Sequence, residues 1–537
     1  MNLINLLNSQ LSQILSFAYL LFIFYSLYYS KTLSTKKVVI VTIAFIITVR
    51  FFDFEYWWSN PDLGQWIICA KSMVDNPKEW ILNYSLFDFT RMLTILPLAV
   101  LFLLKGSVTY FDAHIIFLIS IIGFIFIQLI ILKKLFHKDT VIIVLALFAV
   151  YFTMSNHYDY RLYNSEVPVI LFYSLSTLFF VKALETNRGW FFIGFLLSLM
   201  PFAKEQSAFI AIVSFLYIVV YQIMRKSYKD CIKLVLGACL GGGLLFFMVL
   251  MIHGLDNVLW IFSISLDYKE VGLIGEAVDE SHKLLVFLHF RWLNKEMLLI
   301  FPMAVFGLIL GVIKFSKNPR GNHETIFGYY VLGFLIAIYS VFAPGNRCMH
   351  YNLLLWPGLL FFMSVLIRHL QQLQLRSIHF IFGLVFLIMI NDIRVGNTRP
   401  WRAFESYQKK SDEWREDPFI LSLIENKISK KDVVLWGWDT VTPILFDFNR
   451  TTGFLYPQFA YGEYQNLKLV REHYLKTIQR DRPEYFIELV GSGRRYFRDI
   501  NKFSVSQSFQ DLQKELDKQY NLISAGPNFK IYKKNSI

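Results

Sequence analysis

The sequence predicts an all-α polytopic membrane domain of about twelve transmembrane helices, followed by a small C-terminal α/β domain outside the membrane. Three observations predict this fold class: an apolar composition, repeated apolar runs of helical length, and basic residues confined to alternate loops. Of the 537 residues, 55% are hydrophobic and only 17% are charged, whereas about 25% are charged in an ordinary soluble domain. Too few polar side chains remain to cover a water-facing surface, so part of the surface faces lipid.

The net charge and the cysteines exclude several other classes. The formal charge of +13 indicates cytoplasmic loop lysines and contacts to anionic lipid or phosphate, and we expect no nucleic-acid partner. The four cysteines are far apart and form no CxxC pair, so they predict neither a zinc site nor a disulfide framework. They are Cys69, Cys231, Cys239 and Cys348.

The spans follow from runs of mostly apolar residues, about 20 of which cross a bilayer as a helix. No basic residue precedes Lys31, which predicts an uncleaved first span and not a cleavable signal peptide. The twelve predicted spans are residues 11–29, 38–52, 113–132, 141–154, 167–184, 190–203, 207–223, 231–252, 297–315, 325–342, 353–367 and 378–391.

Loop charges orient these spans, because cytoplasmic loops carry an excess of lysine and arginine. The short loops of the opposite side contain only Arg161, Lys204 and Arg347, and both chain termini fall on that outer side. The basic residues of the predicted cytoplasmic loops are Lys31, Lys36, Lys37, Lys133, Lys134, Lys138, Arg188, Arg225, Lys226, Lys229, Lys314, Lys317, Arg320, Arg368 and Arg376.

The apolar segment 92–104 is predicted to lie in the outer interface and not to cross. Its 13 residues form a helix of only about 20 Å, against a hydrocarbon core of about 30 Å. A crossing here would also turn every later basic cluster outward. The membrane domain therefore comprises residues 1–391, with long outer loops at 53–112 and 253–296.

The tail at 392–537 is charged and interrupted by turn residues, and it predicts a separate extracytoplasmic α/β domain. Buried strands are predicted at 433–436 and 485–490, and helices at 440–448 and 506–520. A terminal hairpin is predicted at 521–533 around Gly526 and Pro527.

Ionisable side chains are nearly absent from the middle of the predicted spans, which argues against an ion-coupled transporter. Arg50, Lys182, Lys233 and Lys314 lie near span ends, where long side chains can snorkel. Carboxylates are concentrated instead just outside the membrane, where Asp53, Glu55 and Asp62 lie among aromatic residues that include Trp57, Trp58 and Trp66. An acid in such a pocket can act as a general base, or can bind a metal or sugar hydroxyls.

The short outer loops also carry charge. Arg161, Lys204 and Arg347 oppose the usual topological bias, which is what an anionic phosphate at the outer leaflet would require. The equally weighted alternative is charge pairing with Asp159, Glu166 and Glu205. A single histidine such as His350 is more often structural than catalytic.

Several short motifs, in order along most of the chain, resemble the integral-membrane GT-C glycosyltransferases. The closest branch contains the dolichyl-phosphate-mannose protein mannosyltransferases and the bacterial aminoarabinose transferases. The first outer loop departs from the family pattern, because Asp62 is followed by Leu63 and not by a second acid, and because two spans precede the loop. The motifs are DLGQW at 62–66 with AKSM at 70–73, RML at 91–93 with LP at 96–97 and KG at 105–106, YNSE at 163–166, GF at 194–195 with PFAKE at 201–205, HYNLL at 350–354 with Pro357, VLWGW at 434–438, and RPEY at 482–485.

The resemblance implies transfer of a sugar from a polyprenyl-phosphate carrier to a lipid, glycan or protein acceptor at the outer face of a cell inner or plasma membrane. An inverting displacement would use Asp62 as the base, with Glu55 and Asp53 orienting the base or substrate. Lys204, Arg161 and Arg347 would bind the phosphate. The remaining substrate contacts would come from Trp57, Trp58, Trp66, Glu166, His350 and Tyr351. No cofactor is required, and the sequence leaves a divalent metal open.

Three other functions stay open. A lipid-linked oligosaccharide polymerase or ligase would depend on arginine and histidine in a large loop, for which His282, His289 and Arg291 are the candidates. A lipid or sugar transporter or flippase would use the loop carboxylates only to shape a gate. A non-catalytic envelope scaffold would give no reason for acids and bases to converge on one face.

Overall fold

The chain folds into a largely helical protein with one small sheet. A computed structural model describes residues 15, 18–23, 25–26, 34–51, 61–75, 91–154, 162–256, 258–259, 300–315, 321–342, 349–373, 383, 416–449, 464–494 and 497–535. Contacts group the chain into two units. The first, here called the membrane unit, comprises residues 1–57, 114–246 and 279–405, and the second unit comprises residues 58–113, 247–278 and 406–537.

Apolar sequence forms most of the helices up to residue 372. In chain order they are α1 (Thr35–Phe51), α2 (Pro61–Asp75), α3 (Met92–Lys105), α4 (Tyr110–Leu135), α5 (Lys138–Met154), α6 (Glu166–Thr186), α7 (Trp190–Leu199), α8 (Ser207–Met224), α9 (Tyr228–Ala238), α10 (Leu244–His253), α11 (Ile300–Phe315), α12 (Asn322–Phe342) and α13 (Trp356–Gln372). A 3-10 turn at Met200–Phe202 extends α7, a π-helical segment at Cys239–Gly243 joins α9 to α10, and a 3-10 helix at Met349–Leu355 leads into α13.

Six helical segments of the described residues are long and apolar enough to cross a membrane. The chain is therefore an integral membrane protein, and six of the predicted spans meet this criterion. The predicted spans at 11–29 and 378–391 lie largely outside the described residues. The six segments are Tyr110–Leu135, Glu166–Thr186, Ser207–Met224, Tyr228–Met251, Asn322–Phe342 and His350–Gln372.

Shorter apolar helices account for three further predicted segments. Trp190–Phe202 and Ile300–Lys314 correspond to predicted spans, whereas Met92–Lys105 corresponds to the segment that we expect to lie in the interface. The helix at 92–105 is confirmed as an element, and its position at the interface remains a prediction.

Glycines allow two pairs of membrane-unit helices to approach backbone to backbone. An added Cβ at Gly194 of α7 would overlap the Leu234 carbonyl of α9, and one at Gly237 would overlap the Phe191 carbonyl. Gly307 of α11 meets the Phe362 carbonyl of α13 in the same way. Small residues give such close contacts in membranes, where lipid tails are as apolar as the side chains and packing decides helix association.

The second unit contains a four-stranded sheet in the order β1-β2-β4-β3. Strand β1 is parallel to β2, whereas β2 and β3 are both antiparallel to β4. The predicted buried strands and terminal hairpin are confirmed. The strands are β1 (Val433–Trp436), β2 (Tyr485–Glu488), β3 (Tyr520–Gly526) and β4 (Phe529–Lys534), and the helices around them are Pro418–Glu425, Thr442–Leu445, Tyr464–Asp481, Ile500–Phe503, Val505–Ser508 and Gln510–Gln519.

Aromatic packing forms the core beside this sheet. The buried Trp436 ring contacts the rings of Tyr474 and Phe509 at centroid distances of 4.9 and 5.1 Å. Its Nε1 donates a hydrogen bond to the Phe503 carbonyl at 2.8 Å, so the indole is buried without losing its polar partner.

The first outer loop contributes two helices to this second unit. At Gly64 of α2, an added Cβ would lie 2.6 Å from the Tyr110 hydroxyl and 2.8 Å from the Thr440 carbonyl. Lys71 Nζ binds Asp447 at 2.9 Å. The DLGQW motif and its AKSM continuation therefore pack against residues of the C-terminal part of the chain.

We expect Gly237→Ala to lower the stability of the membrane unit, because the added methyl group would collide with the α7 backbone. Overpacking of this kind costs about 1–3 kcal/mol. The measurement is the thermal unfolding midpoint of the purified protein in detergent. Gly243→Ala is the matched control, since nothing lies within 4 Å of its added carbon. Equal midpoints for the two variants would contradict the close crossing.

Candidate functional site

Four of the predicted site residues come together in the membrane unit: Glu166, Lys204, His350 and Tyr351. We call these four residues the outer cluster, because the loop charges predict that their end of the helices is extracytoplasmic. All four are buried. Six predicted site residues lie outside the described residues, namely Asp53, Glu55, Trp57, Trp58, Arg161 and Arg347. The same holds for His282, His289 and Arg291.

Glu166 enters the outer cluster as the first residue of α6. Its side chain is fully buried, and the neighbouring Ser165 hydroxyl donates to its Oε2 at 3.4 Å. Pro168 suits the first turn because it lacks an N–H that would need a partner there. The N-terminal end of a helix also favours a negative charge, so α6 supports the Glu166 carboxylate where it is buried.

Lys204 is held by the turn between α7 and α8. Pro201 follows the end of α7, and the chain continues through the 3-10 turn to the Lys204 N–H, which donates to the Met200 carbonyl at 3.1 Å. On the other side, the Ser207 hydroxyl at the start of α8 donates to the Lys204 carbonyl at 2.6 Å. The backbone of this lysine is thus bonded on both sides.

Lys204 and His350 approach the same carboxylate oxygen of Glu166. Lys204 Nζ lies 3.2 Å from Glu166 Oε1, and His350 Nε2 lies 3.9 Å from the same oxygen. Lys204 Nζ also lies 4.6 Å from the centre of the Tyr351 ring, within the range of a cation–π contact. The His350 and Tyr351 rings meet edge to face at 4.7 Å.

This arrangement is a buried ion pair with an aromatic wall. Taking two charges out of water is costly, so such a pair requires good geometry and further polar partners. Charge pairing of Lys204 is the alternative that the sequence left open, and the structure has the lysine paired with Glu166. A phosphate oxygen bound by Lys204 would therefore share the ammonium with Glu166 or displace it.

The other described candidates lie in the second unit. Asp62 is the second residue of α2, in its first turn, and its side chain lies outside the described part of the chain. The Trp66 side chain is buried, and the Arg91 guanidinium lies 5.9 Å from the centre of its ring. The Trp66 ring is thus covered by protein groups, one of which is the Arg91 guanidinium.

Arg50 is a buried polar residue whose environment the sequence did not reveal. Its position near a span end suggested snorkelling, yet its side chain is buried at 2% exposure and donates to the Phe152 carbonyl near the end of α5. The guanidinium also lies 4.6 Å from the centre of the Phe152 ring. The one signal in the sequence is that this arginine belongs to the predicted outer side, whose short loops are poor in basic residues.

No group of three His, Cys, Asp or Glu side chains that could hold a metal ion occurs among the residues that the structure describes. The outer cluster supplies one carboxylate and one imidazole beside an ammonium group, and a cation there would be repelled by Lys204.

Residues 92–253 match the family model of dolichyl-phosphate-mannose-protein mannosyltransferases. The match confirms the family resemblance. It includes Glu166 and Lys204, and its bounds leave out Asp62 and His350. No curated protein matches the chain.

The family match and the apolar helices together indicate a membrane glycosyltransferase of the GT-C type. The match covers the helices that carry two of the outer-cluster residues. The buried ion pair between Lys204 and Glu166 therefore lies within the part of the chain that matches the family model.

We expect Lys204→Gln to destabilise the protein by about 3–5 kcal/mol, because it leaves the buried Glu166 carboxylate without its ion-pair partner. Adding Glu166→Gln should restore part of that loss, since no uncompensated charge is then buried. The measurement is denaturant unfolding of the purified protein and its two single and one double variants.

The matched control for this cycle is Lys134→Gln. Lys134 also pairs with a glutamate, Glu185, but both side chains are more than a third exposed, and such pairs contribute about 0–1 kcal/mol. A loss at Lys204 no larger than at Lys134 would contradict a buried pair.

Proposed function

We propose that this protein transfers a sugar from a polyprenyl-phosphate carrier to an acceptor hydroxyl at the outer face of the membrane, with inversion at the anomeric carbon. The observation that carries the proposal is the buried contact of Lys204 and His350 with Glu166 at the ends of apolar helices. Glu166 and Lys204 also lie within the residues that match the family model. A position at the helix ends suits a donor whose phosphate lies at the lipid headgroup level and whose isoprenoid chain stays in lipid.

The reaction needs one base and one anion-binding group. The acceptor O–H gives its proton to a carboxylate, its oxygen bonds to the anomeric carbon, and the bond from that carbon to the phosphate oxygen breaks. The electron pair leaves with the carrier phosphate, which gains negative charge. A preorganised cation stabilises that developing charge.

Lys204 is the proposed phosphate-binding group. Its ammonium is held by Glu166 and by the Tyr351 ring, so a cation is already in place to stabilise the charge that develops on a phosphate beside it. Glu166 and His350 then serve as positioning residues for the lysine. Arg161 and Arg347 are proposed to contribute further positive charge from the neighbouring outer loops.

Asp62 is the proposed base. It lies in the first turn of α2 and leads the DLGQW motif, and the family resemblance supports an acid at this place. Glu55 and Asp53 are proposed to orient the base or the acceptor, and Trp57, Trp58 and Trp66 to contact the sugar or isoprenoid. The acceptor is proposed to be a lipid, a glycan or a protein.

We expect Asp62→Asn to slow sugar transfer by at least about 100-fold, because general-base catalysis contributes about 10²–10⁴-fold. The assay uses the purified full-length protein with polyprenyl-phosphate mannose, glucose or aminoarabinose and a membrane extract as acceptor. Its readout is the release of free polyprenyl phosphate. Asp75→Asn is the matched control, since Asp75 ends the same helix and is exposed.

Two results would contradict this proposal. If the wild-type protein releases no carrier phosphate from any of the three donors while vesicles show movement of the donor across the membrane, the protein is a transporter. If Asp62→Asn keeps full activity and Arg291→Ala loses it, the protein is a polymerase or ligase that works through its second outer loop.

A further inference from the structure

A cavity lined by basic residues lies in the membrane unit at the helix ends opposite the outer cluster. Its volume is about 30 Å³, and four of its lining residues are Lys314, His323, Arg368 and His369. We call these four residues the inner basic cluster, because their end of the helices is the one that the loop charges predict to be cytoplasmic. Helix α13 separates the two clusters by roughly 25 Å, given a rise of 1.5 Å per residue.

Three separate helices bring these side chains together. Lys314 lies in the last turn of α11, His323 lies in the first turn of α12, and Arg368 and His369 lie in the last turns of α13. The Arg368 guanidinium donates to the Leu135 carbonyl at 3.2 Å, at the end of α4. This hydrogen bond orients the arginine without neutralising its charge.

No carboxylate lines the cavity, and none of its four basic side chains makes an ion pair within the described ranges. Lys134, by contrast, lies at the same helix ends and is paired with Glu185. Arg368 is always charged and Lys314 is an exposed basic side chain, so the cavity retains an electrostatic attraction for an anion.

The rest of the cavity wall is apolar, with Leu310 one turn before Lys314 and with Phe361 at its side. The Phe361 ring packs edge to face on Phe136, 5.6 Å between centroids. Beyond the cavity, α11 exposes Phe306, Ile309 and Val312, as expected of a surface that meets lipid tails. A charged recess thus adjoins a lipid-facing helix.

We propose that the inner basic cluster binds the phosphate of an anionic phospholipid from the leaflet on that side. Basic recesses between membrane helices suit such headgroups, and an arginine can bind phosphate oxygens through two parallel N–H groups. The cavity has room for about two water molecules. It therefore admits phosphate oxygens at its mouth but not a whole sugar headgroup, and the acyl chains lie along α11.

The test measures lipid binding to the full-length protein purified in a neutral detergent, by native mass spectrometry. The probes are dioleoyl phosphatidylglycerol, dioleoyl phosphatidylcholine and inorganic phosphate. We expect tighter binding of phosphatidylglycerol than of phosphatidylcholine. Lys314→Gln and Arg368→Gln should each weaken phosphatidylglycerol binding about fivefold, the effect of one basic residue near a membrane surface.

Lys182→Gln is the matched control. Lys182 is exposed near the cytoplasmic end predicted for α6, carries the same charge, and does not line the cavity. Its removal should change binding less than twofold. Lys314→Gln keeps the test valid if Arg368→Gln fails to fold, because Lys314 is exposed and, within the described part of the chain, donates no hydrogen bond like that of Arg368.

Three results would overturn the proposal. Equal binding of the two phospholipids would show that the protein does not recognise an anionic headgroup. An equal loss in Lys182→Gln would show that general surface charge and not this cavity attracts the lipid. Inorganic phosphate that competes with phosphatidylglycerol, and that loses its own binding in Lys314→Gln, would assign the cavity to a free anion instead of a lipid.

Discussion

The ion pair between Lys204 and Glu166 is the constraint on which the described membrane unit depends most directly. Both side chains are almost completely buried, so each charge is stabilised chiefly by groups that the fold supplies. Neither could be buried alone without a penalty of several kcal/mol. The start of α6, the turn before α8 and the approach to α13 must therefore assemble together.

Helix packing far from the charges supports this assembly. The reciprocal contacts of Gly194 and Gly237 press α7 against α9 with almost no side chain between the backbones. Because α7 runs directly into the 3-10 turn Met200–Phe202, two residues before Lys204, this crossing restricts where the ammonium can lie. A close contact between apolar helices thus helps to position a buried charged group.

The sequence predicted the elements well because apolar runs and turn residues are local signals. The predicted span at 167–184 became Glu166–Thr186, and the hairpin around Gly526 and Pro527 formed as expected. Lys204 could not be assigned the same way, because its partner lies 38 positions earlier in the numbering and no local pattern favours Glu166 over Glu205. The environment of Arg50 was equally ambiguous. An arginine near the end of a predicted span looks the same in sequence whether its side chain snorkels to water or is buried in the protein.

The long outer loop shows a further limit of sequence reasoning. Its motifs, DLGQW among them, suggested a functional loop of the membrane domain, yet α2 packs with residues near Thr440 and Asp447 in the second unit. Loop length and acidity predict that such a segment is outside the membrane. They do not predict what it packs against, because that depends on side chains more than 300 positions away.

The two ends of the membrane unit use the same kind of residue in opposite ways. At the outer cluster, a lysine is matched by a carboxylate at 3.2 Å, so a phosphate bound there as proposed would compete with Glu166 for the ammonium. Among the described residues, no carboxylate lines the cavity of the inner basic cluster, and a phosphate there would meet positive charge without such competition. Competition suits a site where substrate must bind and leave in every cycle, since binding that is too tight would retain the product phosphate. A lipid that stabilises a helix end needs no such release, and an uncompensated cation suits that role.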